Sequence, residues 1–360
     1  MNQPTVAIVY LAYNSRPYLK DVVLSLQNLN YSKESLQIII VDNNSPDDSA
    51  SMIREQVLPE LEKDFPHVTF FPNPENTGFA GGCNIGIDHA LLANADYVYL
   101  LNNDAKFHPD AIREAVYLAE SDEKIGSVQS LMLLWQDELT VNSTGGMVQF
   151  LGFGYVRDNG RKHLSVRIKD GQEIAYASGA AVLYRASTLR KVGNLDGFLF
   201  LYHEDLELGW RIRLTGARNV ISMKSIVYHK YEFKRSIQKF FWMERNRFLV
   251  HAFHLKVATL LLLLPFMICL EVALIIFSIR GKWSKEKLLS YVDILRFKTI
   301  RHILAKRKES KILRTVSDKE ICKLFVARID HQETSNAVIE WVANPALTLI
   351  WFLLKRLIVW

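Results

Sequence analysis

Cysteine is scarce: the 360-residue chain has only Cys83, Cys269 and Cys322, far apart and without a Cys-x-x-Cys pair. That excludes a disulfide framework or zinc knuckle and points to a reducing compartment. No secretory leader is expected at the start either, since "MNQPTVAIVYLAYNSRPYL" has no basic n-region and its apolar run is short for a signal peptide. The front half is therefore expected to stay in the cytoplasm. Internal repeats and low-complexity segments are absent, and the one glycine-rich stretch does not fit the Gly-x-Gly-x-x-Gly dinucleotide fingerprint.

What is present is enough apolar sequence for a real core, 49% hydrophobic against 23% charged residues. Charge is divided along the chain. Residues 230–360 hold 24 Lys/Arg against 11 Asp/Glu, a net of +13, whereas residues 1–229 hold 20 against 27, a net of −7. The basic half is also aromatic and apolar, which suits an anionic membrane surface rather than nucleic acid.

Four short apolar runs, 5–13, 36–44, 68–71 and 96–104, are β-branched or aromatic and end in polar turns, as strands buried on both faces do. Helical patterns separate them. In the first, Leu19, Val22, Val23, Leu26 and Leu29 share a face; another follows "SPDDS", and a third runs through "GCNIGIDHALLA". This alternation predicts a mostly parallel, doubly wound α/β sheet, which binds ligands beyond the carboxyl ends of its strands. Later segments predict a strand at 178–185, a helix at 203–216 and a short strand at 225–231. An aromatic, basic helix is expected over 236–256. The 257–279 run is long enough to span a bilayer, but Pro265 and Glu271 interrupt it and both flanks are basic. A re-entrant hairpin or embedded amphipathic helix is expected rather than a plain span, with 347–360 as a second interfacial anchor.

Several stretches carry possible chemistry. "LLNNDA" puts Asn102, Asn103 and Asp104 at a strand tip, where Asp104 could hold a hard divalent cation or the three could simply close a turn. Asp42 ends the second strand in the same way and could accept hydrogen bonds from a base or ribose, while Asp47 and Asp48 suit a helix cap. "ENTGFAGGCNIGI" is a glycine-rich loop opening a helix, able to offer N–H groups to a phosphate. Glu204 and Asp205 begin a helix whose N-terminus should keep Asp205 ionised, with Glu207 and Arg211 spaced to pair on its surface. His229 is a lone histidine after a strand.

Together, "VAIVYLAYNS", "IIIVDNNS", "NTGFAGGCNIGI", "YLLNNDA", "SGAAVLYR", "FLFLYHEDLELGWRIRLTG" and "VYHKY" resemble the family 2 glycosyltransferases, in particular the non-processive, rhamnosyltransferase-like branch of the GT-A fold. The resemblance implies a Rossmann-like GT-A domain over residues 1–232 and a helical, membrane-associating region over 233–360. It implies an inverting transfer from a nucleotide-diphosphate-sugar to a glycan or polyprenyl-linked acceptor at the cytoplasmic face of the membrane. Asp205 would be the catalytic base and Glu204 would help hold the acceptor. Asp42, Asn76, Gly78, Gly82, Asn84, Asn102 and Asn103 would line the donor, and Asp104 with His229 would hold Mg or Mn. Asn102 departs from the family's Asp-x-Asp motif, which leaves Asp104 as the main anchor. The Gln-x-x-Arg-Trp motif of processive synthases is missing; "WMERNRF" stands near its place. Two rivals are a sugar-phosphate nucleotidyltransferase, whose Arg-containing glycine-rich loop is replaced here by "AYNSRPYL", and a membrane-anchored nucleotide-sugar-binding protein with a degenerate site.

Overall fold

The computed structural model describes residues 3–230, 237–330 and 339–360. The expected boundary at 232 lies outside these residues. The front of the chain runs β1 (Val6–Ala12), α1 (Leu19–Gln27), β2 (Leu36–Asp42), α2 (Ser49–Met52), α3 (Leu58–Leu61), β3 (Val68–Pro72), α4 (Gly78–Leu92) and β4 (Tyr97–Asn102). It continues with β5 (Ala105–Phe107), α5 (Ala111–Glu120), β6 (Ile125–Leu134), β7 (Asp137–Ser143), β8 (Gly146–Gln149), β9 (Gly154–Val156), β10 (Glu173–Ile174), β11 (Ala181–Arg185), α6 (Ala186–Val192), α7 (Glu204–Leu214) and β12 (Arg218–His229).

One sheet organises this half, in the order β10-β12-β6-β11-β4-β1-β2-β3, with β5 added to β12 and β7 to β6. β3, β2, β1 and β4 are parallel neighbours, so the carboxyl ends of β1, β2 and β4 share one edge. β11 then runs antiparallel against β4, which brings its amino end to that same edge. Side chains of β1 alternate between two cores: Val6, Ile8 and Tyr10 pack on one face, Ala7, Val9 and Leu11 on the other. The expected face of α1 is buried as well, Leu19 being 1% exposed and Leu26 1%. The short strand expected at 225–231 is the end of a longer one, β12.

The rear half comprises α8 (Ile237–His254), α9 (Val257–Arg280), α10 (Ser284–Ile294), α11 (Phe297–Leu313), α12 (Asp318–Cys322), β13 (Phe325–Val326) and α13 (Asn344–Leu357). A third core joins it to the front, mixing Phe150, Leu206 and Trp210 with Leu249, Phe253 and Trp351. β13 also pairs with β8 in a small three-stranded sheet. α9 is continuous through Pro265, so the expected re-entrant hairpin is not formed. Glu271, which interrupts its apolar run, faces the protein. Its carboxylate accepts from Lys287 at 2.6 Å and Tyr291 at 2.5 Å and pairs with Arg247, which also binds Glu244 at 3.0 Å. Ionic side chains can be buried here because each charge meets its opposite. The other side of α9 is bare, with Leu261, Ile268, Val272 and Ile276 exposed.

Candidate functional site

Asp104 follows β4 and is placed by sheet register. β5 pairs with β12 so that Ala105 lies opposite His229, and the Lys230 N–H donates to the Asp104 carbonyl at 2.8 Å. His229 Nε2 therefore sits 3.1 Å from Asp104 Oδ1, and its Nδ1 lies 2.9 Å from Asn142 Oδ1 on β7. Two neutral tautomers of His229 fit this chain. With Nδ1–H donating to Asn142, Nε2 turns its lone pair beside a carboxylate oxygen, an arrangement that suits a divalent cation. With the Asn142 amide turned, its Nδ2, otherwise without a partner, donates to Nδ1 and the Nε2–H donates to Asp104. Asp104 keeps 25% of its side chain exposed, so the carboxylate is accessible. Among the described residues no third His, Cys, Asp or Glu joins the pair.

Asp42 is buried at the tip of β2, where it accepts from the Ser45 hydroxyl at 2.5 Å and the Ser45 N–H at 3.2 Å. Asp47 accepts from the Ser49 N–H at 3.1 Å, and Asp48 pairs with Arg16. The glycine-rich loop differs from expectation. Asn43 Oδ1 accepts from the Thr77 N–H, the Asn76 side chain accepts from the Gly78 N–H, and the Phe200 carbonyl accepts from the Ala80 N–H. With these three donors already engaged, the loop is not the open phosphate cradle that its composition suggests. Its glycines serve close approach instead. Gly78 has φ +75°, and a Cβ there would lie 2.4 Å from the Phe200 carbonyl oxygen; a Cβ on Gly82 would meet Leu11 at 2.5 Å. Asn84 is likewise occupied: its amide donates to the Leu195 carbonyl at 2.8 Å and accepts from the Leu195 N–H at 3.1 Å, bracing α4. Asn103 donates to the Tyr13 carbonyl at 2.6 Å, fixing the turn after β1. Asn102 donates its backbone N–H to the Ala180 carbonyl at 3.0 Å.

That last bond joins the two acids. Gly179, next to Ala180, donates its N–H to Asp205 Oδ2 at 3.1 Å, and the Leu206 N–H donates to Oδ1 at 2.7 Å. Asp205 is thus tied through Gly179 and Ala180 to Asn102, two residues before Asp104. Its carboxyl is not held low as the helix N-terminus suggests. Enclosure by the protein raises it, and the Gly179 and Leu206 N–H groups only partly offset this. Glu204 is buried, its Oε2 has no partner, and burial together with the Asp205 charge pushes its carboxyl well above the usual range.

The preceding loop is strained, with positive φ at Phe200 (62°), Tyr202 (66°) and His203 (68°). It is held from both sides. Phe200 packs against Gly78 and stacks on Trp242 at 4.7 Å, while the Asn246 amide nitrogen reaches the carbonyls of Leu199, Leu201 and Tyr202 at 2.8, 3.0 and 2.8 Å. Glu207 and Arg211, expected to pair on the surface, are 0% and 2% exposed and bond at 2.6 Å. Burial would raise the Glu207 carboxyl, but Arg211 and His254 outweigh it and hold it low. Sequence reasoning assigned no role to Asn43, Asn142, Gly179 or Asn246. Asn43, Gly179 and Asn246 lie inside stretches already singled out, the last in "WMERNRF"; Asn142 carries no local signal.

A family model described as "Glycosyl transferase family 2" matches residues 7–193. An uncharacterized glycosyltransferase of Haemophilus influenzae is 34% identical over 104 residues, 29% of this chain and 38% of that protein. The N-acetylglucosaminyl-diphospho-decaprenol L-rhamnosyltransferase of Mycobacterium tuberculosis is 22% identical over 241 residues, 62% of this chain and 75% of its own length. Among solved structures, GalNAc-T7 with UDP, GalNAc and Mn2+ matches with a TM-score of 0.56 at 17% identity, over 71% of this chain and 49% of that one. The latter shares the α/β fold, which is therefore GT-A-like.

Proposed function

Because this chain belongs to glycosyl transferase family 2, we propose that it moves one sugar from a nucleotide-diphosphate-sugar, of the dTDP-rhamnose or UDP-sugar type, to a membrane-linked glycan acceptor with inversion. The observation carrying this reading is the hydrogen-bonded path Asp205–Gly179–Ala180–Asn102, which ties an enclosed carboxylate to the turn bearing Asp104. Asp205 takes the proton of the acceptor hydroxyl. The oxygen so freed bonds to the anomeric carbon as that carbon's bond to the diphosphate oxygen breaks, and the nucleoside diphosphate leaves with the bonding pair. Enclosure makes Asp205 a stronger base than a free aspartate, as proton abstraction near neutral pH requires.

Asp42, at the tip of β2, would bind the nucleoside, and Asn76, Gly78 and Asn102 would border the donor. Gly82, Asn84 and Asn103 would support that border through their contacts with Leu11, Leu195 and Tyr13. Asp104 and His229 would hold Mg or Mn, and an ion bound there would neutralise charge developing on the leaving diphosphate. The basic, apolar rear half supports an acceptor at the cytoplasmic face of a membrane, and the mycobacterial relative's name, which contains a decaprenol-linked diphosphate, agrees.

Asp205→Asn should lower turnover by about a hundredfold or more while nucleotide binding, followed by calorimetry, stays nearly intact. Asp104→Ala should remove the manganese-dependent part of that binding. Near-normal turnover by the Asp205→Asn protein would overturn the assignment of the base.

A further inference from the structure

A cavity of about 620 Å³ opens beside α7 rather than at the donor loops. Phe153 and His203 wall it on the front-half side, Met243 on α8, Leu270 and Phe277 on α9, and Ala346 on α13. Its volume lies within the range of about 300–1,000 Å³ common for ligand sites, and its lining is almost wholly apolar.

The two ends of this space differ. At the inner end, His203 immediately precedes Glu204 and Asp205; its ring is buried beside the Gly152 backbone, and Arg247 Nε is buried without a hydrogen-bond partner. Arg247 is paired with Glu271 of α9. From Leu270, next to Glu271, the wall continues to Arg280, roughly 15 Å further along the helix at 1.5 Å per residue. There Phe277, which lines the cavity, is 47% exposed, and the outer faces of α9 and α13 show Val272, Ile276, Leu349 and Leu353 to solvent. Arg280, which lines the cavity, and Lys282 stand at that end.

An apolar passage that begins at His203, two residues before the base, and ends at an apolar face beside Arg280 suits one occupant. We propose that it seats the hydrocarbon chain of a phosphate-linked lipid, whose glycan head passes His203 to offer its hydroxyl to Asp205. A chain entering sideways from a bilayer would reach the cavity without exposing its apolar length to water, and the rim cations would meet anionic lipid phosphates. This rests on the transferase reading given above, and the test separates the two.

The full chain in detergent micelles is photolabelled with a benzophenone-tagged farnesyl diphosphate, with wild-type hydrolysis of nucleotide-sugars measured in parallel. The label is expected on peptides carrying Met243, Leu270 or Ala346 and to be competed by untagged farnesyl diphosphate. Ala346→Trp and Ala273→Trp, which fill the space from opposite walls, should each cut labelling about tenfold, with unchanged melting as the check on folding and Ala346→Ser retaining the label. Label confined to the outer face of α9, or unaffected by both tryptophans, overturns the lipid seat. Cavity labelling by a protein that hydrolyses no nucleotide-sugar sustains the seat and overturns the transferase reading instead.

Discussion

At the residue scale, the two acids that open α7 carry opposite burdens. Asp205 has two backbone donors, whereas Glu204 Oε2 has none. An acid whose folded-state pKa is raised costs stability above its ordinary value, about 4.3 for glutamate, because the unfolded chain gives up its proton first. The folded protein is free of this cost only below that value and loses stability as pH rises toward the raised one. Glu204→Gln should therefore raise the Tm at pH 8 by roughly 2 °C or more and by less at pH 4, as scanning calorimetry would show; equal melting at pH 8 would mean that the buried acid carries no cost. The same enclosure bears on catalysis. The acid limb of the kcat/KM profile should fall at a pH above the ordinary aspartate value of about 3.9, and a limb at or below it would count against Asp205 as an enclosed base.

At the element scale, the loop between Leu199 and His203 adopts an unfavourable backbone because α4 and α8 leave it no alternative. Each positive-φ residue costs on the order of 1–3 kcal/mol, and Asn246, 0% exposed, offsets this by donating to the carbonyls of the loop. Asn246→Ala should lower kcat by about a hundredfold, since small misplacements of a base are costly, with donor KM little changed. Asn246→Asp should be worse, because it sets an anion against carbonyl oxygens. Calorimetric nucleotide binding distinguishes this from simple unfolding, which would lower the binding-competent fraction in step with kcat, whereas a misplaced base leaves that fraction whole. In α9, Glu271→Leu would strip Arg247 and Lys287 of a shared carboxylate and should cost about 3–5 kcal/mol by urea denaturation; a neutral result would mean the ion cluster is dispensable.

At the scale of the whole molecule, α9 buries Leu263 and Met267 against the protein and exposes its opposite side, so one helix serves as both core and surface. Only 11% of its most apolar window is buried. With the basic excess of the rear half, this favours attachment to an anionic bilayer. The full chain should sediment with phosphatidylglycerol vesicles more than with phosphatidylcholine vesicles, and salt should weaken but not abolish the binding. A protein that stays in the supernatant with both would refute this reading.

The alternation of strands and helices was legible because burial imposes period 2 or 3.6 on the residues of each element. The polar tips were legible because buried strands must end in something that water or a ligand can satisfy. Pairings across the chain were not. Asp104 and His229 are 125 residues apart and meet only because β5 adds to β12 in one register. Glu207 and Arg211 showed their spacing but not their burial, which depends on what α8 and α11 lay over them. For Asp205, sequence position argued for a low pKa and enclosure argued for a high one. Sequence alone sets which groups can be charged; only packing decides how much water each retains, and at this site the loss of water outweighs the helix end.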